Sequence, residues 1–577
     1  MYTNSTLSIC KVIFVLGVTI AISCTTYQHN DRNSSYNEID NIFKQYDKPH
    51  SPGYALGIIQ NGKLAYSKGY GQANLEHSIP LSDSSAVYIG SMAKQFTAAA
   101  LLILESQGKV DLSKPVHHYL PEFPLYSKPI TISHLIHHTS GIRETNSLQL
   151  FQGIDTQFEE VFNTDDLYKL ILAQKELNFQ PGAEYRYSSG GYAVLAMLIE
   201  RISKQSFRNF LKKSIFDPLG MSNTSVSDNH NEVIANRADS YWPSGNNHFE
   251  QRHLIFDAYG DGGIITTLRD LVEWDKAFYD DVLGVDQFAD KMYQKGVLNN
   301  GNTIEYARAL QVREYKGLQM ITHNGGMLGF RVDMVRFPES QTTFILLGNS
   351  AFLDPTGDIL KVADIWLQEK FPEYQEPISN QKKSIQPKTV PSDILKSHEG
   401  YYWTDQVNYF RRITARNDSL FFDSGDINYA YYLSPVTHNE FILSAFAPSA
   451  KLIFNQSRVG NELSITFGAT ERTFRKFSPE PPAHIRELET YAGTYFSKEL
   501  DVSYTFFEDN DAFFLQIDRN TPMQVFPIQN NNRVVWNGKE MLWIGFGEIK
   551  FNFDNARNVS GFTIGDNRVS GVQFKKE

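Results

Sequence analysis

The segment SMAKQFTAAALLILE, residues 91–105, is apolar on nearly every side once its first turn is passed. A helix of that composition has no face to offer water and must run through the centre of a large domain. Gly90 before it permits a close backbone approach, and Gly108 after it suits a helix C-cap. The spacing Ser-x-x-Lys occurs at both ends, as Ser91 with Lys94 and Ser106 with Lys109, and again as Ser379 with Lys382. Only the first pair opens the buried helix, where residues three apart share a face and free backbone N–H groups favour developing negative charge. Desolvation there penalises an ammonium group, which favours a lysine able to accept a proton. Lys109 near a helix C-terminus is ordinary dipole complementarity, and the third pair lies in a Pro-rich stretch.

At 577 residues the chain exceeds one hydrophobic core, so several domains are expected. Residues 53–71 read as two alternating runs joined by Asn61-Gly62, a hairpin signal. From Ser91 to about Asp281 the pattern is mostly helical, and strands return between 307 and 350 before a closing helix in ILKVADIWLQEKF. A sheet drawn from both ends of a domain with a helical insert between them is an α+β layout. Residues 372–393 carry Pro372, Pro377, Pro387 and Pro391 among polar residues and read as a linker.

Beyond the linker come short, aromatic, alternating runs, one of them folded at Asn537-Gly538. Here HEGYYWTDQVNYFRRITARNDSLFF from His398 parallels YAGTYFSKELDVSYTFFEDNDAFFL from Tyr491. Two similar antiparallel β-barrels are therefore expected, over 394–480 and 481–577, with one larger sandwich as the alternative. Their aromatic residues are first of all barrel filling.

The N-terminus has a polar start with Lys11, an apolar run from Val12 to Ile22, and then Cys24. The run is short for a membrane span and suits a secretory signal over 1–23. Cys10 and Cys24 are the only cysteines, so the mature chain would hold no internal disulfide. Cleavage before Cys24 resembles processing of a bacterial lipoprotein, with lipid on Cys24 and residues 24–39 as a tether; plain secretion is the alternative. The net charge of −11 comes without a basic stripe, which argues against nucleic acid as a partner.

Taken alone, Ser91 reads as a helix N-cap. Two further motifs change that reading. QPGAEYRYSSGGY, residues 180–192, has a Pro-Gly turn, a short run ending in Tyr187, and then Ser188 and Ser189 capping an apolar helix. ITHNGGMLGF, residues 321–330, ends a strand with His323 followed by Asn324 and Gly325-Gly326, where backbone can approach a ligand.

In this order the three elements resemble the serine β-lactamase and penicillin-recognising family, particularly its class C and D-aminopeptidase-like branches. That family carries Ser-x-x-Lys, Tyr-x-Asn, and Lys-Thr-Gly or His-x-Gly. They stand here as Ser91 to Lys94, Tyr187-Ser188-Ser189 and His323-Asn324-Gly325, and HHTSGI at 137–142 and GDGGIITTLRDLVEWD at 260–275 look like its stretches too. The resemblance covers about residues 40–370. It implies a β-lactamase-like antiparallel sheet flanked by helices over 40–371. It further implies a Ser91 nucleophile, a base role shared by Lys94 and Tyr187, and a catalytic His323. Substrate contacts would come from Ser189, Asn324, Gly325 and Gly326, with the Ser91 and Gly326 N–H groups as oxyanion hole; no cofactor and no metal are implied. A barrel of such proteins can reach toward the active site.

Two departures bear on specificity. Ser189 replaces an Asn amide by a shorter hydroxyl. His323 replaces a Lys, removing a fixed positive charge suited to a substrate carboxylate. An exported serine hydrolase of small peptides or amides with D-residues, such as peptidoglycan fragments, is therefore expected over a strict carboxypeptidase. The alternatives are an esterase, a β-lactamase, or a non-catalytic penicillin-binding sensor. His134 and His138 are four apart, but no helix-borne Glu completes a zinc motif. Asp261 and Asp270 read as helix caps.

Overall fold

The structure is a computed structural model. It describes residues 34–577 except 155–160, 246–247, 352, 373–389, 405–408, 417–418, 424–429, 444–449, 458–459, 468–469, 478–489, 511, 519–521, 528–532, 537–547 and 567. The signal and lipidation readings at 1–33, including Cys24, the Ser379 and Lys382 pair and the Asn537-Gly538 turn all lie outside the described residues.

The first domain is built on a six-stranded antiparallel sheet. Its strands are β1 (Tyr54–Gln60), β2 (Lys63–Tyr70), β3 (Gln311–Tyr315), β4 (Leu318–Met327), β5 (Phe330–Phe337) and β6 (Thr342–Gly348), in the order β3-β4-β5-β6-β1-β2. Both ends of the domain thus supply strands, as the pattern required. Asn61 and Gly62 have φ of 51° and 70°, the paired positive values that a tight hairpin turn needs.

Strand β1, paired on one side with β6 and on the other with the edge strand β2, is buried on both faces. Tyr54, Leu56 and Ile58 point to one core with Ile39, Phe43, Ile359 and Val362, whereas Ala55 and Ile59 point to the other. The first core lies under helix α1 (residues 34–43) and a C-terminal helix, Pro355–Trp366. Residues 34–39, expected within a tether, therefore belong to this domain, because Ile39 and Phe43 cover the sheet.

The larger core holds α2 (Lys94–Ser106), α3 (Ser189–Ser203) and α4 (Leu268–Lys276). Every residue of α2 from Lys94 to Leu104 is buried, the outcome expected of a helix without a polar face. It stops at Gly108, whose φ is 68°, with the Lys109 N–H donating to the Leu104 carbonyl at 2.9 Å. α4 is tied to β5 by a buried ion pair, Arg336 Nε to Asp275 Oδ1 at 2.7 Å.

The remainder is two closed eight-stranded antiparallel barrels, from Gly400–Thr404 to Thr470–Phe477 and from Gly493–Ser497 to Val572–Lys576. The internal repeat is visible in matched contacts. Tyr402 OH donates to the His398 carbonyl at 2.8 Å, and Tyr495 OH donates to the Tyr491 carbonyl at 2.7 Å. The first barrel starts slightly before 394, since Val390 and Leu395, flanking and within the helix Ser392–His398, fill its core. The second barrel shares a core with Leu148, Phe151 and Leu170 of the first domain.

Candidate active site

Ser91 lies in a 3₁₀ turn, Gly90–Ala93, that precedes α2. The first turn is therefore tighter than the α-helical start expected. Gly90 explains it: its φ is 49°, and a Cβ there would stand 2.6 Å from the Gly326 nitrogen. A Cβ at Gly325 would meet the Ile89 carbonyl oxygen at 2.0 Å. The two glycine positions let the Ser91 turn lie against the edge of β4. In a 3₁₀ turn residues three apart eclipse, which brings Lys94 Nζ to 3.1 Å from Ser91 Oγ.

Lys94 is wholly buried, and its Nζ also donates to the Asp261 carbonyl at 2.5 Å. That carbonyl belongs to a glycine-rich turn, residues 260–263, held by three side chains. Thr97 Oγ1 donates to the Gly260 carbonyl at 2.7 Å, the Gly263 N–H donates to Tyr88 OH at 2.9 Å, and Lys94 holds the residue between. Asp261 is thus no helix cap; its carboxyl is buried with Oδ1 unpartnered among the described residues. Burial raises its pKa against the opposing pull of Lys94. Asp270 is not the cap either: Thr267 caps α4, accepting from the Asp270 N–H at 3.2 Å, while the Asp270 carboxylate accepts from the Asn223 N–H at 2.7 Å and Thr224 Oγ1 at 2.7 Å.

Lys94 Nζ lies 5.1 Å from the centre of the Tyr187 ring. The run before Tyr187 forms no strand; it is held instead by His138. Ser188 caps α3, accepting from the Gly191 N–H at 3.4 Å. Ser189 is buried, its N–H donating to Glu144 Oε2 at 2.8 Å. The Ser-for-Asn position is therefore tied through its backbone to the Glu144 carboxylate of the site itself.

His323 is buried, with Nδ1 2.7 Å from the Asn324 carbonyl and Nε2 3.0 Å from Tyr306 OH. The carbonyl can only accept, so Nδ1 carries the proton and Nε2 accepts from the tyrosine. Burial, then Lys94, pushes the His323 pKa down to about 4, which leaves the ring neutral at neutral pH. Asn324 and Gly326 are exposed on the strand edge, and Gly325 is buried against the Ser91 turn. Ser91, Lys94, Tyr187 and the third motif are therefore brought together. Of the histidine pair four apart, His134 Nδ1 accepts from the Thr131 N–H at 3.2 Å and His138 Nδ1 accepts from the Ser188 N–H at 3.1 Å.

The Beta-lactamase family model matches residues 39–364, the part of the chain that holds this arrangement. The chain belongs to the Beta-lactamase family. As a member it is a serine hydrolase. Penicillin-binding protein 4* of Bacillus subtilis (strain 168) is 25% identical over 456 residues, covering 76% of this chain and 98% of that protein. The octameric penicillin-binding protein homologue from Pyrococcus abyssi shares the fold with a TM-score of 0.54 and 19% identity, over 77% of this chain and all of that one. The D-amino acid amidase from Ochrobactrum anthropi SV3 does so with a TM-score of 0.50 and 19% identity, over 58% of this chain and 99% of that one.

Several residues of the site carry no signal in a single sequence. His138 stood out only as one of a histidine pair; Tyr306, Glu144 and the Asp261 carbonyl did not stand out at all. Arg568 of the second barrel is a further case, with its guanidinium 5.6 Å from the Tyr187 ring centre.

Proposed function

We propose that the chain cleaves small peptides or amides bearing D-residues through an acyl-enzyme on Ser91. The carrying observation is the 3.1 Å contact between Ser91 Oγ and the buried Lys94 Nζ, with the Tyr187 ring centre 5.1 Å from that Nζ. Ser91 Oγ attacks the substrate carbonyl carbon while its proton passes to the Lys94 and Tyr187 pair. The pair then delivers that proton to the leaving nitrogen, the C–N bond breaks, and water later cleaves the ester. The Ser91 and Gly326 N–H groups receive the oxyanion; one such donor contributes about 3 kcal/mol.

A neutral His323 supplies no charge for a carboxylate at the third motif, so an acidic group on a substrate would need a cation from elsewhere in the site. The D-amino acid amidase that shares the fold makes D-amino acid amides the first compounds to try. Export with lipid on Cys24 and action on peptidoglycan fragments belong to the same proposal, supported by the apolar run Val12 to Ile22. Among the described residues no helix is long and apolar enough to cross a membrane.

Intact-mass measurement after exposure to an activated ester, a penicillin and D-alaninamide tests the reading. A serine adduct that disappears in Ser91→Ala supports it, and no adduct with any of the three overturns it. Relative turnover of amide and ester then separates a peptidase from an esterase.

A further inference from the structure

Arg568 reaches the candidate site from the last hairpin of the second barrel. The Asp566 carboxylate accepts from the backbone N–H groups of Arg568 at 2.7 Å and Val569 at 2.6 Å, which stiffens the turn. Asn178 of the first domain clamps the same turn from the other side. Its Nδ2 donates to the Arg568 carbonyl at 2.6 Å and its Oδ1 accepts from the Ser570 N–H at 2.8 Å. Farther back, the buried Arg143 donates to Glu499 of the second barrel at 2.7 Å. The backbone of Arg568 is thus placed by both domains.

Its side chain lies over the Tyr187 ring, with Nη1 3.9 Å from the buried Glu144 carboxylate and 38% of its surface open. The other cations of the site are differently engaged. Lys94 is buried on Ser91 and the Asp261 carbonyl, and His323 is neutral. Arg331, beside Gly326, turns Nη1 to the carbonyls of Leu328 at 2.9 Å and Phe330 at 2.6 Å. Arg568 thus presents a partly exposed guanidinium beside Tyr187, and a guanidinium offers a carboxylate two parallel donors.

We propose that Arg568 is a specificity-determining residue, recognising a carboxylate on the substrate close to the scissile bond. The positive charge absent from the third motif is supplied by the second barrel, so the preferred substrates are acidic peptides or N-acyl amino acids. The proposal rests on Ser91, Lys94 and Tyr187 forming the substrate site, and its test reads binding so that failure of catalysis does not obscure it.

The full chain carrying Ser91→Ala is titrated calorimetrically with N-acetyl-D-alanine and with N-acetyl-D-alaninamide. The acid is expected to bind at least about tenfold more tightly than the amide. Adding Arg568→Gln removes that preference, whereas adding Arg568→Lys retains part of it; circular dichroism checks that each variant is folded. Equal binding of acid and amide, no binding of the acid, or a preference that survives Arg568→Gln and is lost in Arg331→Gln each overturns the proposal. If the preference is present while the chain with Ser91 intact forms no acyl adduct, the anion site stands and the hydrolytic reading fails.

Discussion

His138 holds Tyr187 from both sides in sequence and across its ring. The His138 carbonyl accepts from the Arg186 N–H at 2.9 Å, its Nδ1 accepts from the Ser188 N–H at 3.1 Å, and the two rings are 4.1 Å apart. Burial, then Lys94 and His323, keeps the His138 pKa well below that of an ordinary histidine, so Nδ1 remains free to accept. Its φ of 56° puts it in the left-handed region, where the carbonyl and the ring can reach the same strand-like segment. His138 is in this sense a positioning residue for Tyr187.

His138→Ala leaves the buried Ser188 N–H without its acceptor, at a cost of about 1–3 kcal/mol. The expected kinetic result is a fall in kcat of about tenfold with a smaller change in KM. His138→Gln, which offers another acceptor, should recover part of it. An unchanged kcat in a folded His138→Ala protein would remove the positioning role.

Gly325→Ala is expected to disable the site while sparing the rest of the domain. The new Cβ would stand 2.0 Å from the Ile89 oxygen and 2.9 Å from the Met92 nitrogen, so the Ser91 turn must move off β4. Loss of one oxyanion donor lowers kcat by about 10²–10³-fold. Steady-state kinetics against the activated ester checks this, alongside a thermal melt that confirms folding.

The buried, neutral His323 ties stability to pH. Its folded-state pKa of about 4 lies below the ordinary 6.5, so between those values the unfolded chain binds the proton more readily. The stabilising contribution of the neutral ring is complete above pH 6.5 and is lost as the pH falls toward 4. Between pH 6.5 and 5 this amounts to about 2 kcal/mol. Urea unfolding at both pH values, compared between the parent and His323→Gln, isolates the effect; identical pH slopes would show that His323 does not contribute.

Glu499 fastens the second barrel to the first domain. Arg143 is 1% exposed, and Glu499→Ala would leave its guanidinium facing that interface without its 2.7 Å partner. Breaking a buried pair on one side costs about 3–5 kcal/mol. Faster limited proteolysis around residues 143–153 is expected, because Leu148 and Phe151 depend on the barrel for their cover. Protection equal to that of the parent would show that the apolar contact alone holds the two units together.

Much of this molecule was legible in the amino-acid order alone. The all-apolar flank of α2 could only be buried, Asn61-Gly62 could only turn tightly, and the repeated Gly-x-Tyr runs at 400–402 and 493–495 announced two like barrels. Ser91 and Lys94 were legible because spacing along one helix is a local property. The rest was not, because its parts are distant in sequence and lie in aperiodic loops. The Asp261 group that holds Lys94 is a backbone carbonyl, which any residue could present. His138, Glu144 and Arg568 meet Tyr187 and Ser189 through loops whose lengths and turns encode no period. The sequence by itself determined the folding units and the nucleophile motif, since hydrophobic period and helical spacing are written residue by residue. Tertiary structure alone decided which charges surround that motif, since electrostatics at the site depends on distances in space that no local pattern records.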